Sequence, residues 1–192
     1  MRNRIPPRAT GSVGFTLLEI LLVVAIIALI IGVSLPATGW VAGQKVTRAG
    51  YLLRDQLDAA RLAAISRSAP VDVHLCETTN ASGRTATALI YTTAAGNRAL
   101  VRPVPLPDGV SVMSQSNLSA LGDLPQTNVV LPNNRSVSSR RVRFYPSGAV
   151  DFPADTPLYF TVADPLRATP PNGNFATVAV DPVTGRTVVY RP

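Results

Sequence analysis

Residues 14–36 read GFTLLEILLVVAIIALIIGVSLP, an apolar run broken near its start by one acid, Glu19. From Phe15 to Leu35 there are 21 residues without proline. At about 1.5 Å per residue they predict a helix about 30 Å long, matching the hydrocarbon core of a bilayer. Ahead of it stand Arg2, Arg4 and Arg8 and no acid, which favours holding this end in the cytoplasm while the rest is exported.

A secretory signal peptide places small residues after its apolar core and is cut there, whereas here the small residue, Gly14, comes before it. A carboxylate inside a membrane helix costs roughly 2.5–3.5 kcal/mol at mid-bilayer and less near the interface, so Glu19 calls for a partner. Cutting after Gly14 would supply one, because the new ammonium of Phe15 would lie one helical turn from Glu19. A plain single-pass anchor is the competing reading, but it leaves Gly14, Glu19 and Pro36 unexplained together.

Gly14 followed by FTLLE resembles the class III signal of type IV pilins and type II secretion pseudopilins. The resemblance implies cleavage after Gly14 by a prepilin peptidase on the cytoplasmic side, N-methylation of Phe15 by the same kind of enzyme, and packing of apolar helices into a filament core. It also implies that Glu19 recognises the terminal amine of a neighbouring subunit, and that Pro36 bends the helix. Ser12 and Val13 stand where many members of the family carry Lys or Arg beside the cleavage glycine.

With leader and apolar segment set aside, roughly 155 residues remain, enough for one exported domain with one core. The formal charge of the 192-residue chain is +7, and loss of the three leader arginines lowers it to +4, apart from the new terminus. Lys45 is the lone lysine among 18 basic residues. A moderately basic, mixed surface favours acidic partners without identifying them. Cys76 is the single cysteine, so an intramolecular disulfide is excluded, although many major pilins close a C-terminal loop with one. In VDVHLCE, alternation puts Val71, Val73 and Leu75 on one face and Asp72, His74 and Cys76 on the other, with Cys76 expected as a buried free thiol.

After Pro36 the polar stretch ATGWVAGQK reads as a break. Val46, Ala49, Leu53, Leu57, Ala60 and Ala64 then recur at spacings of three and four and predict an amphipathic helix ending between Ser66 and Pro70. From Val71 onward short β-rich runs alternate with Pro, Gly, Asn and Ser. Strands are expected at 71–76, 85–92, 99–104, 110–113, 128–131, 141–145, 149–152, 158–162, 176–180 and 186–190. Pro146-Ser147-Gly148 and the stretch from Asp181 to Gly185 carry hairpin chemistry, while 114–127 and 164–174 read as surface loops.

The expected fold class is α+β. A pilin-like long N-terminal helix, transmembrane in its first half and amphipathic in its second, packs on a C-terminal antiparallel β-sheet domain. The corresponding domains are a cleaved leader (1–14), a transmembrane and filament-core helix (15–35), an amphipathic stem (36–68) and a periplasmic β-rich domain (69–192). The RFYPSGAVDF hairpin and a terminal hairpin carrying Gly185-Arg186 resemble the H-type minor pseudopilin and the T- and U-type minor pilins. That resemblance implies a subunit near the tip of a periplasmic pseudopilus, held in the bacterial inner membrane with its N-terminus cytoplasmic. Its implied partners are minor and major pseudopilins, the prepilin peptidase and N-methyltransferase, the inner-membrane assembly platform and secreted cargo. A type IV pilus minor pilin that primes assembly is the alternative. The calcium loop of major pseudopilins needs several clustered oxygens, yet near this C-terminus only Asp164 and Asp181 are acidic.

His74 is the single histidine, and the chain has no CxxC, HExxH, P-loop or GxSxG motif. No enzyme activity, metal or cofactor is therefore expected, and His74 is expected as an exposed or hydrogen-bonded strand residue. Three Asn-x-Ser sequons, at Asn80, Asn117 and Asn134, carry no glycosylation expectation in a bacterial setting. DNA is the remaining partner class, since some T-type minor pilins bind it through C-terminal basic residues. The residues to match are Arg186 and Arg191, with Arg140, Arg141 and Arg143, provided one face gathers them.

Overall fold

The computed structural model describes residues 16–34, 37–79, 85–94, 98–164 and 174–191, with side chains between 32 and 42 left aside. Two compact units divide the chain, Met1–Trp40 and Val41–Pro192.

The expected long helix is corrected. Two helices are present, α1 (Leu17–Ser34) and α2 (Ala37–Arg67), and among the described residues no helix is long and apolar enough to cross a membrane. The apolar and amphipathic halves are two separate elements, α1 of 18 residues ending at Ser34 and α2 starting at Ala37. The start of α1 is fixed by Thr16, whose Oγ1 accepts the Glu19 backbone N–H at 3.3 Å, the Thr-x-x-Glu pattern of a capped first turn. The stretch expected as a polar break is helical, because α2 starts at Ala37. Gly39 and Gly43 cost about 1 kcal/mol each in a helix interior, which tertiary packing of the remaining turns outweighs.

In the second unit, the six stripe residues of α2, Val46, Ala49, Leu53, Leu57, Ala60 and Ala64, are each no more than 1% exposed. They pack against Val71, Val73, Leu75, Ile90, Val142, Phe144, Leu158, Phe160, Val162, Ala176 and Val178 of the sheet. At Gly50 the helix comes so near the sheet that a Cβ would sit 2.9 Å from the Cβ of Ala176, so a small residue is needed at that crossing.

The strands are β1 (Val71–Thr79), β2 (Thr85–Ala94), β3 (Arg98–Ala99), β4 (Val104–Pro105), β5 (Ser111–Val112), β6 (Gln126–Val130), β7 (Ser136–Phe144), β8 (Leu158–Ala163), β9 (Phe175–Val180) and β10 (Thr187–Tyr190). They form an antiparallel sheet in the order β10-β9-β8-β5-β2-β1-β7-β6, with β3 and β4 also on β2. β1 pairs with both β2 and β7. It is buried on both faces from Val71 to Cys76, because Cys76, Tyr91, Val129, Leu131 and Val137 make a second, smaller core.

Two details differ from the sequence expectation, and a third expectation falls outside the described residues. Within 114–127 a 3-10 turn, Ala120–Asp123, is capped by Ser119, and Ala120, Leu121 and Leu124 join the main core. The run 149–152 is reduced to a single bridge, Phe144 to Val150, because beyond it the Phe152 N–H turns back to the Val150 carbonyl at 2.8 Å, while the Val150 N–H, which faces away from β7, donates to the Pro182 carbonyl at 2.8 Å. Most of the proline-rich loop, 165–173, lies outside the described residues.

Candidate assembly site

α1 presents Glu19 in its first turn, where the helix dipole favours a carboxylate. Around it, Leu17, Leu18, Ile20, Leu21, Leu22 and Val23 begin a series of twelve large apolar side chains ending at Ile31, each between 49% and 79% exposed. A helix apolar all round is found buried, in a core, among other helices or in lipid. At roughly 1.5–3 kcal/mol per fully buried side chain, covering these twelve releases on the order of 20 kcal/mol. Gly14, Phe15 and Pro36 lie outside the described residues, so the first turn of α1 with Glu19 is the described part of the sequence-expected assembly site.

The five arginines considered for nucleic acid do not form one patch. Arg143 is spent on Asp72, donating Nε to Oδ1 at 2.6 Å and Nη2 to Oδ2 at 2.8 Å. Asp72 is 6% exposed, and its proximity raises the Arg143 pKa. Arg140 donates to the carbonyls of Gly122 and Leu124. Arg141 lies opposite His74 across β1 and β7 with a buried Nε lacking a hydrogen-bond partner among the described residues. Arg186 and Arg191 flank β10 and are exposed.

His74 is buried, not exposed. Its ring nitrogens lie 3.2 Å from Ser139 Oγ and 3.2 Å from Thr93 Oγ1. Burial lowers its pKa, Asp72 opposes that shift, and Arg141 and Arg143 reinforce it, so the imidazole is held neutral. Cys76 is a buried free thiol, its pKa pushed up to about 12 by burial, which removes it from thiolate chemistry at neutral pH. Among the described residues no group of three His, Cys, Asp or Glu could hold a metal ion.

A joint between two turns was not foreseen from the sequence. Gly148 and Gly185 both adopt positive φ, +87° and +64°, and a Cβ on Gly185 would collide with the Gly148 carbonyl oxygen. Arg61 of α2 crosses both glycines and donates Nε to the Thr184 carbonyl at 2.7 Å. Asp58, one turn earlier, accepts the Thr187 hydroxyl at 2.6 Å. Polar residues on the helix flank thereby fix both hairpin tips against α2.

Comparison with family models, curated proteins and solved structures returns no match.

Proposed function

We propose that the chain is a structural subunit of a bacterial secretion filament, a minor pseudopilin of the type II system. The observation that carries this reading is the uncovered apolar α1, with one carboxylate in its capped first turn. Such a helix needs an apolar environment and an ammonium partner. Lipid of the inner membrane covers it before assembly, and helices of neighbouring pseudopilins cover it afterwards. Cleavage after Gly14 by the prepilin peptidase and methylation of Phe15 prepare the terminus. Glu19 then meets the amine of the preceding subunit on the assembly platform. The β-domain stands in the periplasm and presents its loops to other minor subunits and to cargo.

The test separates insertion from assembly. Glu19→Ala retains the apolar run and should reach the membrane fraction and be processed like the unmodified protein. It should fail to cross-link into filaments, where the unmodified chain does so. Normal incorporation of Glu19→Ala would refute the docking role.

A further inference from the structure

β10 is the last strand of the sheet and pairs only with β9 among the described residues. The Asp181 N–H donates to the Arg186 carbonyl, and hydrogen-bonded pairs in an antiparallel ladder recur at every second residue. With Val188 opposite Ala179 and Tyr190 opposite Thr177, the main-chain groups of Thr187 and Val189 point away from β9. Proteins guard such edges with charges, prolines or bulges. Thr187–Tyr190 reads TVVY, without charge or proline, and its register with β9 is unbroken. Val188 and Tyr190 are 49% and 60% exposed.

The charges sit at the two ends. Arg186 and Arg191 are exposed and five residues apart, about 17 Å along an extended chain. A third cation lies between them on the helix side. Gly50 neighbours Val189 and Asp58 holds Thr187, and Arg54 is one turn from each. Arg54 Nε is buried without a hydrogen-bond acceptor among the described residues, and at 3.4 Å from Asp58 Oδ2 it makes only an ion pair.

We propose that the β10 edge is a docking site for an extended segment of another protein, bearing a carboxylate at each end and β-branched residues between. The segment adds as an antiparallel strand. Its main chain pairs with Thr187 and Val189, and its carboxylates meet Arg186 and Arg191. A second copy fits poorly, because with the outward-facing Thr187 of one chain paired to Val189 of the other, Arg186 would meet Tyr190 and Arg191 would meet Gly185, and neither arginine would gain a carboxylate. Docking here concerns the β-domain alone and does not rest on the filament reading.

The test uses the full-length protein in detergent micelles and a fluorescent hexapeptide with aspartate at both ends and alternating valine and threonine between. Binding should weaken as salt rises. Methylating the amide nitrogens at the peptide's third and fifth residues, which would face β10, should weaken binding roughly tenfold or more. Methylation at the second and fourth should leave it unchanged. Arg186→Glu with Arg191→Glu should reject the aspartate peptide and accept one ended by lysines. Equal affinity for the two methylated peptides, or no binding by the unmodified protein, overturns the proposal. So does a concentration-dependent dimer lost in the same double variant, or a single-stranded oligonucleotide that displaces the peptide through the same arginines.

Discussion

Replacing Gly185 by alanine should be much more damaging than the same change at Gly148, although both glycines have positive φ. An L side chain in that region costs about 1–2 kcal/mol at either position. At Gly148 the new methyl would meet Arg61 Nε and Ile65 Cδ1, each at 3.3 Å. Both are ends of flexible side chains that can move, so the total stays at about 1–2 kcal/mol. At Gly185 the obstacle is the Gly148 carbonyl oxygen, which cannot move without parting the two turns. Parting them strains the bonds from Val150 N–H to the Pro182 carbonyl and from Arg61 to the Thr184 carbonyl. Each is worth about 0.5–1.5 kcal/mol, so Gly185→Ala should cost roughly 2–5 kcal/mol. Urea unfolding of both variants, followed by circular dichroism at unchanged m-value, measures the difference. Equal costs would refute the joint between the hairpins.

The Asp72–Arg143 pair should respond asymmetrically. Arg143→Gln leaves a carboxylate only 8% exposed and should cost about 3–5 kcal/mol, whereas Asp72→Asn leaves a guanidinium that is 31% exposed and should cost less; the reverse order in urea melts would contradict it. Because the folded pKa of His74 is lowered, its contribution is complete above pH ~6.5 and is lost as pH falls toward the folded value. His74→Gln should therefore flatten the stability profile just below that pH, and an unchanged slope would show that other groups set it. Leu57→Ala removes a fully buried side chain and should cost about 2–5 kcal/mol by the same measurement; a negligible loss would mean that the stripe does not carry the packing of helix on sheet.

Residues that solve a local problem were legible in the sequence. The stripe of α2 could be read because helical periodicity and burial coincide at all six positions. The two turns could be read because Gly148 and Gly185 occupy conformations that side chains avoid. The first half of β7 was missed: Ser136, Ser138, Ser139 and Arg140 have little strand propensity. That stretch is held by pairing with β6 and, at Ser139 and Arg140, with β1, and neither partner is visible from the stretch itself. The loop 114–127 hid Leu121 and Leu124 because two isolated leucines show no period. At the candidate assembly site, Thr16-x-x-Glu19 carries a cap signal that marks where α1 begins. The division of the amino-terminal helix into α1 and α2 was not legible, because apolarity measures how well a segment suits lipid or a core, not how helices are divided. The coupling of Asp58 and Arg61 to the last hairpin spans more than a hundred residues of sequence, so no local pattern could announce it.

The central claim is that the amino-terminal stretch is a processed assembly element. The intact mass of the protein recovered from cells with and without a prepilin peptidase tests it most directly. With the enzyme, the mass should fall by residues 1–14 and rise by one methyl group on Phe15; without it, or in Gly14→Leu, the full-length chain should persist. A full-length mass in the presence of the enzyme, or identical trimming in Gly14→Leu, would contradict it.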